Sequence, residues 1–584
     1  MSARWKIRRS GFFLYLFVKN KCDVKATIIT FTKQQSANII MKKSELFIHQ
    51  LFTIRNQLGQ QHAAEKIKLI NSIQLDDLKG KKDFQLYSNT LLFLIAYPDN
   101  KTIYTLANKS LQQLHAYIQS DEKKQYSLYN TGITGTAVCA AFSFEIVKWL
   151  RKQYPNTIRI VSFEAADGQI QSILSVIMSK LESEILQDSY FNWKEWIKRI
   201  LLPQENLLDG LLAIFDNNNS RPEVKDELWS AIGVNTEINF TSHSTLRKSL
   251  TNPYYHRLLI RKEIKQTLIT KPVKVKLSES EAAEIIDCSK MILVRHLREI
   301  DPISFADAKL VSYYQLPRGI SIALLEMTPE RRHPVDSYIG YTVFKNGLPV
   351  AYAGSWLLFD SGRIGLNVFP AYRGGESQYI FKQVLQLHAH VYRLKRFTVD
   401  PYQIGNKNSD GIHSGAFWVY YHAGFRPMLS APFELAAAEA EKIKTIPGYR
   451  SPATVLKKLA ESKLELVLQK KAVRFDANDL SLAFASMLKH QYNSNRKYFQ
   501  KGKETKLGAM LHIKNSEEPN MKFILQNWAL LLMHDETALQ KNGAVKNVLK
   551  QLFLLKATGS EADYHALLQK SYVLRQLIEG VVSE

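Results

Sequence analysis

Residues 338–345 read YIGYTVFK, 346–347 are Asn-Gly, 348–359 read LPVAYAGSWLLF, 360–362 are Asp-Ser-Gly and 363–370 read RIGLNVFP. An Asn-Gly pair between two apolar, aromatic-rich runs is the strongest short hairpin signal, because the tight primed turn needs positive φ at both central residues. The Asp360–Gly362 turn repeats the device one strand later. Three antiparallel strands follow from this reading.

Downstream, Pro370-Ala371-Tyr372-Arg373-Gly374-Gly375-Glu376-Ser377 leads directly into an amphipathic helix on which Ile380, Val384, Leu387 and Val391 share one face. A strand, a glycine pair and a helix start leave unpaired backbone N–H groups aimed at one point, with the positive end of the helix dipole behind them. That arrangement suits a phosphate. Arg396–Asp400 reads as the next strand, YQIGNKNSDG as a polar loop, and SGAFWVYYHAGFRP as a second helix and its exit.

This order resembles the GNAT family of N-acetyltransferases over about residues 278–430. Leu366, Val368 and Pro370 match its strand pattern, and Ala416, Tyr420, Gly424 and Phe425 match its Ala-x-x-x-Tyr-x-x-x-Gly-Phe helix. The resemblance implies an α/β (α+β) fold: a mixed sheet with antiparallel hairpins, flanked by mainly helical regions. It implies acetyl-CoA or another acyl-coenzyme A as donor and an amine as acceptor. The donor's phosphates would lie on Arg373, Gly374, Gly375, Glu376 and Ser377, and backbone amides around Val368 would face the thioester carbonyl. Tyr420 would stand beside the thioester sulfur and protonate the departing thiolate. The loop departs from the family's Gln/Arg-x-x-Gly-x-Gly/Ala form. Counted from Arg373, Glu376 and Gln378 occupy the two small-residue positions; counted from Tyr372, Gly375 and Ser377 restore them and the basic residue is lost.

Acyl transfer also needs a base. The strand RIGLNVFP carries no acid, so Asp400 is the nearest carboxylate, with His413 and His422 as alternatives. His388 and His390, two apart on a helix, point roughly 200° apart and cannot share an ion, so no metal is expected.

At 584 residues the chain exceeds one ordinary core, and its length suggests about three or four units. A net charge of +24 raises nucleic acid, a polyanionic cofactor or an acidic protein as partners, although the basic residues are dispersed as on a solvated surface. Cys22, Cys139 and Cys288 make neither a disulfide framework nor a cysteine zinc site, so a reducing, cytoplasmic setting is expected. The apolar run Gly11–Val18 follows Arg4, Lys6, Arg8 and Arg9 but is too short to span a membrane and has no cleavage site. Residues 1–40 are expected to be poorly packed, with Met41 as the functional start.

From Ser44 to about Thr270 the apolar spacing is mainly helical, giving one helical region over 41–275. Within it Asn130–Thr136, NTGITGT, enters an expected helix TAVCAAFSFEIVKWL, either as a tight turn with a Thr cap or as an anion cradle. Ser278 and Glu281 form a capping box for the first helix of the GNAT-like module, Asp301-Pro302 is expected to stop it, and ISIALLEM (320–327) reads as a buried strand. After Pro432 helices are expected to the end. Asn493–Lys506, NSNRKYFQKGKETK, mixes basic and aromatic residues as base stacking and phosphate pairing require, and as a solvated loop also does.

Two functional classes fit these residues. One is a GNAT-type acyltransferase, a fold that also includes enzymes using aminoacyl-tRNA as donor. The other is a noncatalytic binding or scaffold protein on the same fold, contacting its partner through basic helices.

Overall fold

The computed structural model describes residues 43–583 except 188–191, 241–244, 261–270, 514–519 and 533–535. The expectations for residues 1–40 and for Met41 lie outside the described residues. Helices Lys43–Ile54, Gln60–Ser72, Lys81–Ala96 and Lys101–Gln119 bury one apolar stripe each, and their core is continuous with that of the large sheet described below. Residues 138–240 instead hold a second core around Trp193, Trp229 and Phe215. The single helical region expected over 41–275 therefore divides in two.

That second core contains β1 (Ala137–Ala141), β2 (Ile158–Phe163) and β3 (Val234–Asn239), an antiparallel sheet ordered β1-β3-β2. The helix expected from Thr136 is thus corrected: AVCAA is a strand, and the helix begins only at Phe144, capped by Ser143. A short apolar run of small residues satisfies either period, and pairing with β3 decides it. Without a helix start there is no anion cradle at Asn130–Thr136. Instead Arg295 donates to Thr134, and a Cβ on Gly132 would stand 2.7 Å from the Arg295 carbonyl.

The large sheet comprises β4 (Val273–Val275), β5 (Ser312–Leu316), β6 (Ile320–Leu325), β7 (Ser337–Lys345), β8 (Leu348–Leu358), β9 (Ser361–Ile364), β10 (Asn367–Val368), β11 (Arg396–Val399), β12 (Arg426–Pro427) and β13 (Leu464–Val467). Its order is β12-β13-β11-β9-β8-β7-β6-β5-β4, with β10 also on β8. Only β9 and β11 run parallel. The chain is mixed α/β of the α+β kind. Asn346 and Gly347 have φ of 47° and 82°, the primed turn their types favour, and β7, β8 and β9 form the expected antiparallel set. The second turn falls one residue early: Phe359 and Asp360 turn, and Ser361 already pairs with Leu358. Asp360 holds this turn by accepting from Val473 N–H at 2.8 Å and pairing with Lys395 at 3.2 Å.

The capping box at Ser278 and Glu281 forms. Its helix ends at Arg295, before Asp301-Pro302, which opens a short helical turn instead of stopping one. The C-terminal part is not wholly helical, because β13 extends the sheet beyond residue 430. Helices from Ala477 onward form a third core that includes Leu358 and Phe359 at the end of β8. The basic stretch after Asn495 is a helix, Arg496–Met510, in which Lys503 and Lys506 both pair with Glu536. Tyr498 and Phe499, on which base stacking would rest, have side chains outside the described residues. No described helix is long and apolar enough to cross a membrane.

Candidate functional site

The sheet forks at its one parallel pair. β11 pairs with β9 from Arg396–Ser361 to Thr398–Arg363 and no further, while β10 pairs only with β8. Beyond Arg363 the two strands part. Phe369 N–H donates to Val350 O on β8 at 3.0 Å, so alternation along the strand turns the N–H groups of Leu366 and Val368 the other way, into the fork. There Leu366 N–H donates to the Tyr420 hydroxyl at 3.2 Å, and the Tyr341 hydroxyl donates to Gly365 O. Two buried tyrosines from different elements thus satisfy the backbone at the fork.

Tyr420 stands on the helix Ala416–His422, edge-on to Phe381 with ring centroids 5.0 Å apart. Burial raises its hydroxyl well above the ordinary tyrosine value, so it stays a neutral phenol. Asp400 ends β11 and is buried. Its Oδ2 lies 3.4 Å from Arg363 Nε and accepts no hydrogen bond. Burial pushes this carboxyl up to about 6 even though Arg363 and Lys463 pull it down. Arg363 is held in turn over the Trp356 ring at 4.4 Å, and Trp356 stacks on Tyr338 at 4.0 Å. Leu366 N–H and the neutral Tyr420 phenol thus meet at the fork, and Asp400, a carboxyl that ionises near 6, pairs with Arg363 where the two strands part. His413 and His422 are both exposed on the outer surface, where His413 Nδ1 meets Ser409 O at 2.7 Å. Among the described residues no group of three His, Cys, Asp or Glu is placed to hold a metal.

The glycine loop is packed from below. A Cβ on Gly375 would stand 2.6 Å from the Tyr97 ring, so packing against that ring is reason enough for a glycine here. Glu376 is fully buried and faces inward. It accepts from Lys345 Nζ at 2.8 Å, Arg318 Nε at 3.0 Å and Ile260 N–H at 3.0 Å, with His256 Nε2 3.5 Å away. Burial alone would raise its carboxyl, but His256, Lys345 and Arg318 hold it well below the usual carboxylate range. Burial in turn lowers Lys345 to about 8 against the pull of Glu376. Arg373 and Gly374 remain exposed and Ser377 half-buried, at the start of the helix Ser377–Val391. Val368 O accepts from Arg373 Nε at 3.4 Å.

Sequence reading did not single out Arg363, Lys345, Arg318 or His256. Arg363 lies inside the buried strand β9 and Lys345 ends the buried β7, and a charge in such a place is the signal that was available. Compared with protein-family models, curated proteins and solved structures, the chain matches none.

Proposed function

We propose that the chain is a GNAT-type acyltransferase, moving an acyl group from acyl-coenzyme A to an amine. The observation that supports it most is the fork past Arg363 and Thr398, with Leu366 N–H on the Tyr420 hydroxyl and Asp400 paired to Arg363 where the strands part. In this reading the thioester carbonyl displaces the Tyr420 hydroxyl from the Leu366 N–H, which then stabilises the oxyanion. Asp400 takes a proton from the incoming ammonium, the amine nitrogen bonds to the thioester carbon, and the C–S bond breaks. Tyr420 gives its proton to the leaving thiolate, the second proton lost from the nitrogen restores the phenol, and Asp400 releases its proton to solvent. The donor's phosphates rest at Arg373, Gly374 and the first turn of the helix Ser377–Val391.

The test is thiol release from acetyl-coenzyme A with a panel of amines. Asp400→Asn should lower kcat/KM by roughly 100-fold or more, the usual worth of a positioned base. It should also abolish the rise in rate with pH through about 6. Tyr420→Phe should lower kcat and leave donor binding unchanged. Neither binding nor turnover with any acyl-coenzyme A would refute the proposal. The Tyr97 ring filling the underside of Gly375 favours the second reading, a binding protein on the same fold; its mark would be salt-sensitive retention on nucleic acid or an acidic protein with no donor binding.

A further inference from the structure

The strand that passes the fork keeps one register from β9 into β10: Arg363 pairs with Trp356, Ile364 with Ser355 and Asn367 with Tyr352, with no bulge between them. Alternation therefore sets Asn367 on the same face of the sheet as Arg363. Asp400 shares that face, two residues beyond Thr398, which pairs with Arg363, and it reaches back to Arg363 Nε at 3.4 Å. Asn367 and Asp400 thus stand on one face, on opposite sides of the fork. Each ends in a shielded atom without a hydrogen-bond partner among the described residues, a donor at Asn367 Nδ2 and an acceptor at Asp400 Oδ2. Native proteins leave few buried polar atoms in that state, and a complementary pair across one gap fits a ligand that serves both. On this face the residue between Arg363 and Asn367 is Gly365, which puts no side chain into the gap; the Gln403 amide borders it, 3.1 Å from where a Gly365 Cβ would stand. Beside Asn367 the wall is aromatic: Phe369 stacks on Tyr352 with centroids 5.2 Å apart and on His296 at 4.6 Å. Arg298 donates to the Tyr352 hydroxyl at 3.3 Å and has the Asp410 carboxylate 3.9 Å away to balance it. A neutral amide N–H on such a wall suits a neutral carbonyl oxygen better than a carboxylate.

We infer that Asn367 selects the acceptor, and that the acceptor is an α-amino amide, the group at a peptide N-terminus or in a free amino-acid amide. Its amine nitrogen donates to Asp400 Oδ2 while the carbonyl one carbon away accepts from Asn367 Nδ2. This rests on the acyltransferase reading, which leaves the amine undefined. A lone alkylamine, such as a lysine side chain, has no oxygen for Asn367 and leaves its amide unsatisfied.

The experiment is thiol release from acetyl-coenzyme A by the full chain with glycinamide, triglycine and propylamine, together with calorimetric titration of triglycine. In Asn367→Leu the ratio of kcat/KM for glycinamide to that for propylamine should fall roughly 10-fold, about the worth of one neutral hydrogen bond. Comparing the ratio between variants cancels the different basicity of the two amines, and Asn367→Gln should restore part of the loss. Triglycine turned over faster than glycinamide assigns the site to a peptide; the reverse order assigns it to a free amino-acid amide. A ratio unchanged by Asn367→Leu, whether both rates hold or fall together, overturns the inference and leaves the acyltransferase reading standing. Triglycine bound by wild type and not by Asn367→Leu, with no thiol release from any acyl-coenzyme A, leaves the site standing and the acyltransferase reading falls. If wild type neither binds triglycine nor turns over any of the three amines, both fall.

Discussion

Glu376 stands where the resemblance calls for glycine, and its replacement by glutamine separates two accounts of that residue. As a buried clasp, its carboxylate neutralises Lys345 and Arg318 and ties the 252–260 segment to the helix Ser377–Val391. Glu376→Gln keeps the shape and leaves two buried cations with one counter-charge fewer. Breaking a buried pair by removing one partner costs about 3–5 kcal/mol. Because the amide still accepts from Ile260 N–H and Arg318 reaches solvent at its edge, the lower end, roughly 3 kcal/mol, is expected. The core around Glu376 draws on residues 48–133 and 246–464, more than the 150–250 residues for which 1 kcal/mol moves Tm by about 2–4 °C, so a fall of roughly 6 °C or less is expected. The carboxyl is depressed in the folded state, so its contribution is complete above the unfolded value near 4.5 and is lost as pH falls through the folded value. Urea melts at pH 7 should therefore separate the variants, and the gap should narrow step by step as pH falls below 4.5, with a clear difference still present near pH 3. Adding Lys345→Met should recover part of the loss at pH 7. If Glu376→Gln melts within about 0.5 kcal/mol of wild type, the level of a surface change, the clasp is wrong. A simultaneous gain in coenzyme A affinity would show a carboxylate facing the phosphates.

Gly375→Ala should destabilise by about 1–3 kcal/mol by pressing on the Tyr97 ring 2.6 Å away, measured by urea denaturation; Tyr97→Phe would not relieve it, and Tyr97→Leu would. Glu326 accepts from Glu561 and Ala562 N–H, yet burial, with Glu561 nearby, pushes its carboxyl from an ordinary 4.5 up to about 7. Its contribution is thus full below pH 4.5 and lost as pH rises through 7. Glu326→Gln should raise stability at pH 8 by up to about 3 kcal/mol and flatten the pH dependence between 5 and 8.

The hairpins were legible because Asn346-Gly347 writes its turn type into its residues, and the helix at Ser377 because its apolar face keeps one period over fifteen residues. β1 was not, since AVCAA becomes a strand only by pairing with β3, almost a hundred residues on. β13 was hidden in the same way: LELV lies among helices and is drawn into the sheet by β11. At the fork, Tyr420 and Asp400 could be named from pattern, and Arg363 could not. Its partners, Trp356 and Asp400, lie on the neighbouring strand and beyond the end of β11, and only the register of β8, β9 and β11 brings them to one place.

The glycine loop carries the harder lesson. A glycine required by a packed ring and one required by a phosphate are the same letter, and only their neighbours tell them apart. Gly375 answers to Tyr97 beneath it, whereas Gly374 faces outward with positive φ and two N–H donors above it. Glu376 follows from the same packing: the end of β7 and the β5–β6 turn place Lys345 and Arg318 under the helix start, and one buried and one largely buried cation demand a carboxylate there. Turned inward, that carboxylate takes its charge away from the surface and leaves the helix N-terminus uncapped. The feature that departs from the family pattern in the sequence therefore leaves the outer face of the loop electropositive, so a glycine-to-glutamate departure there does not by itself exclude a phosphate ligand.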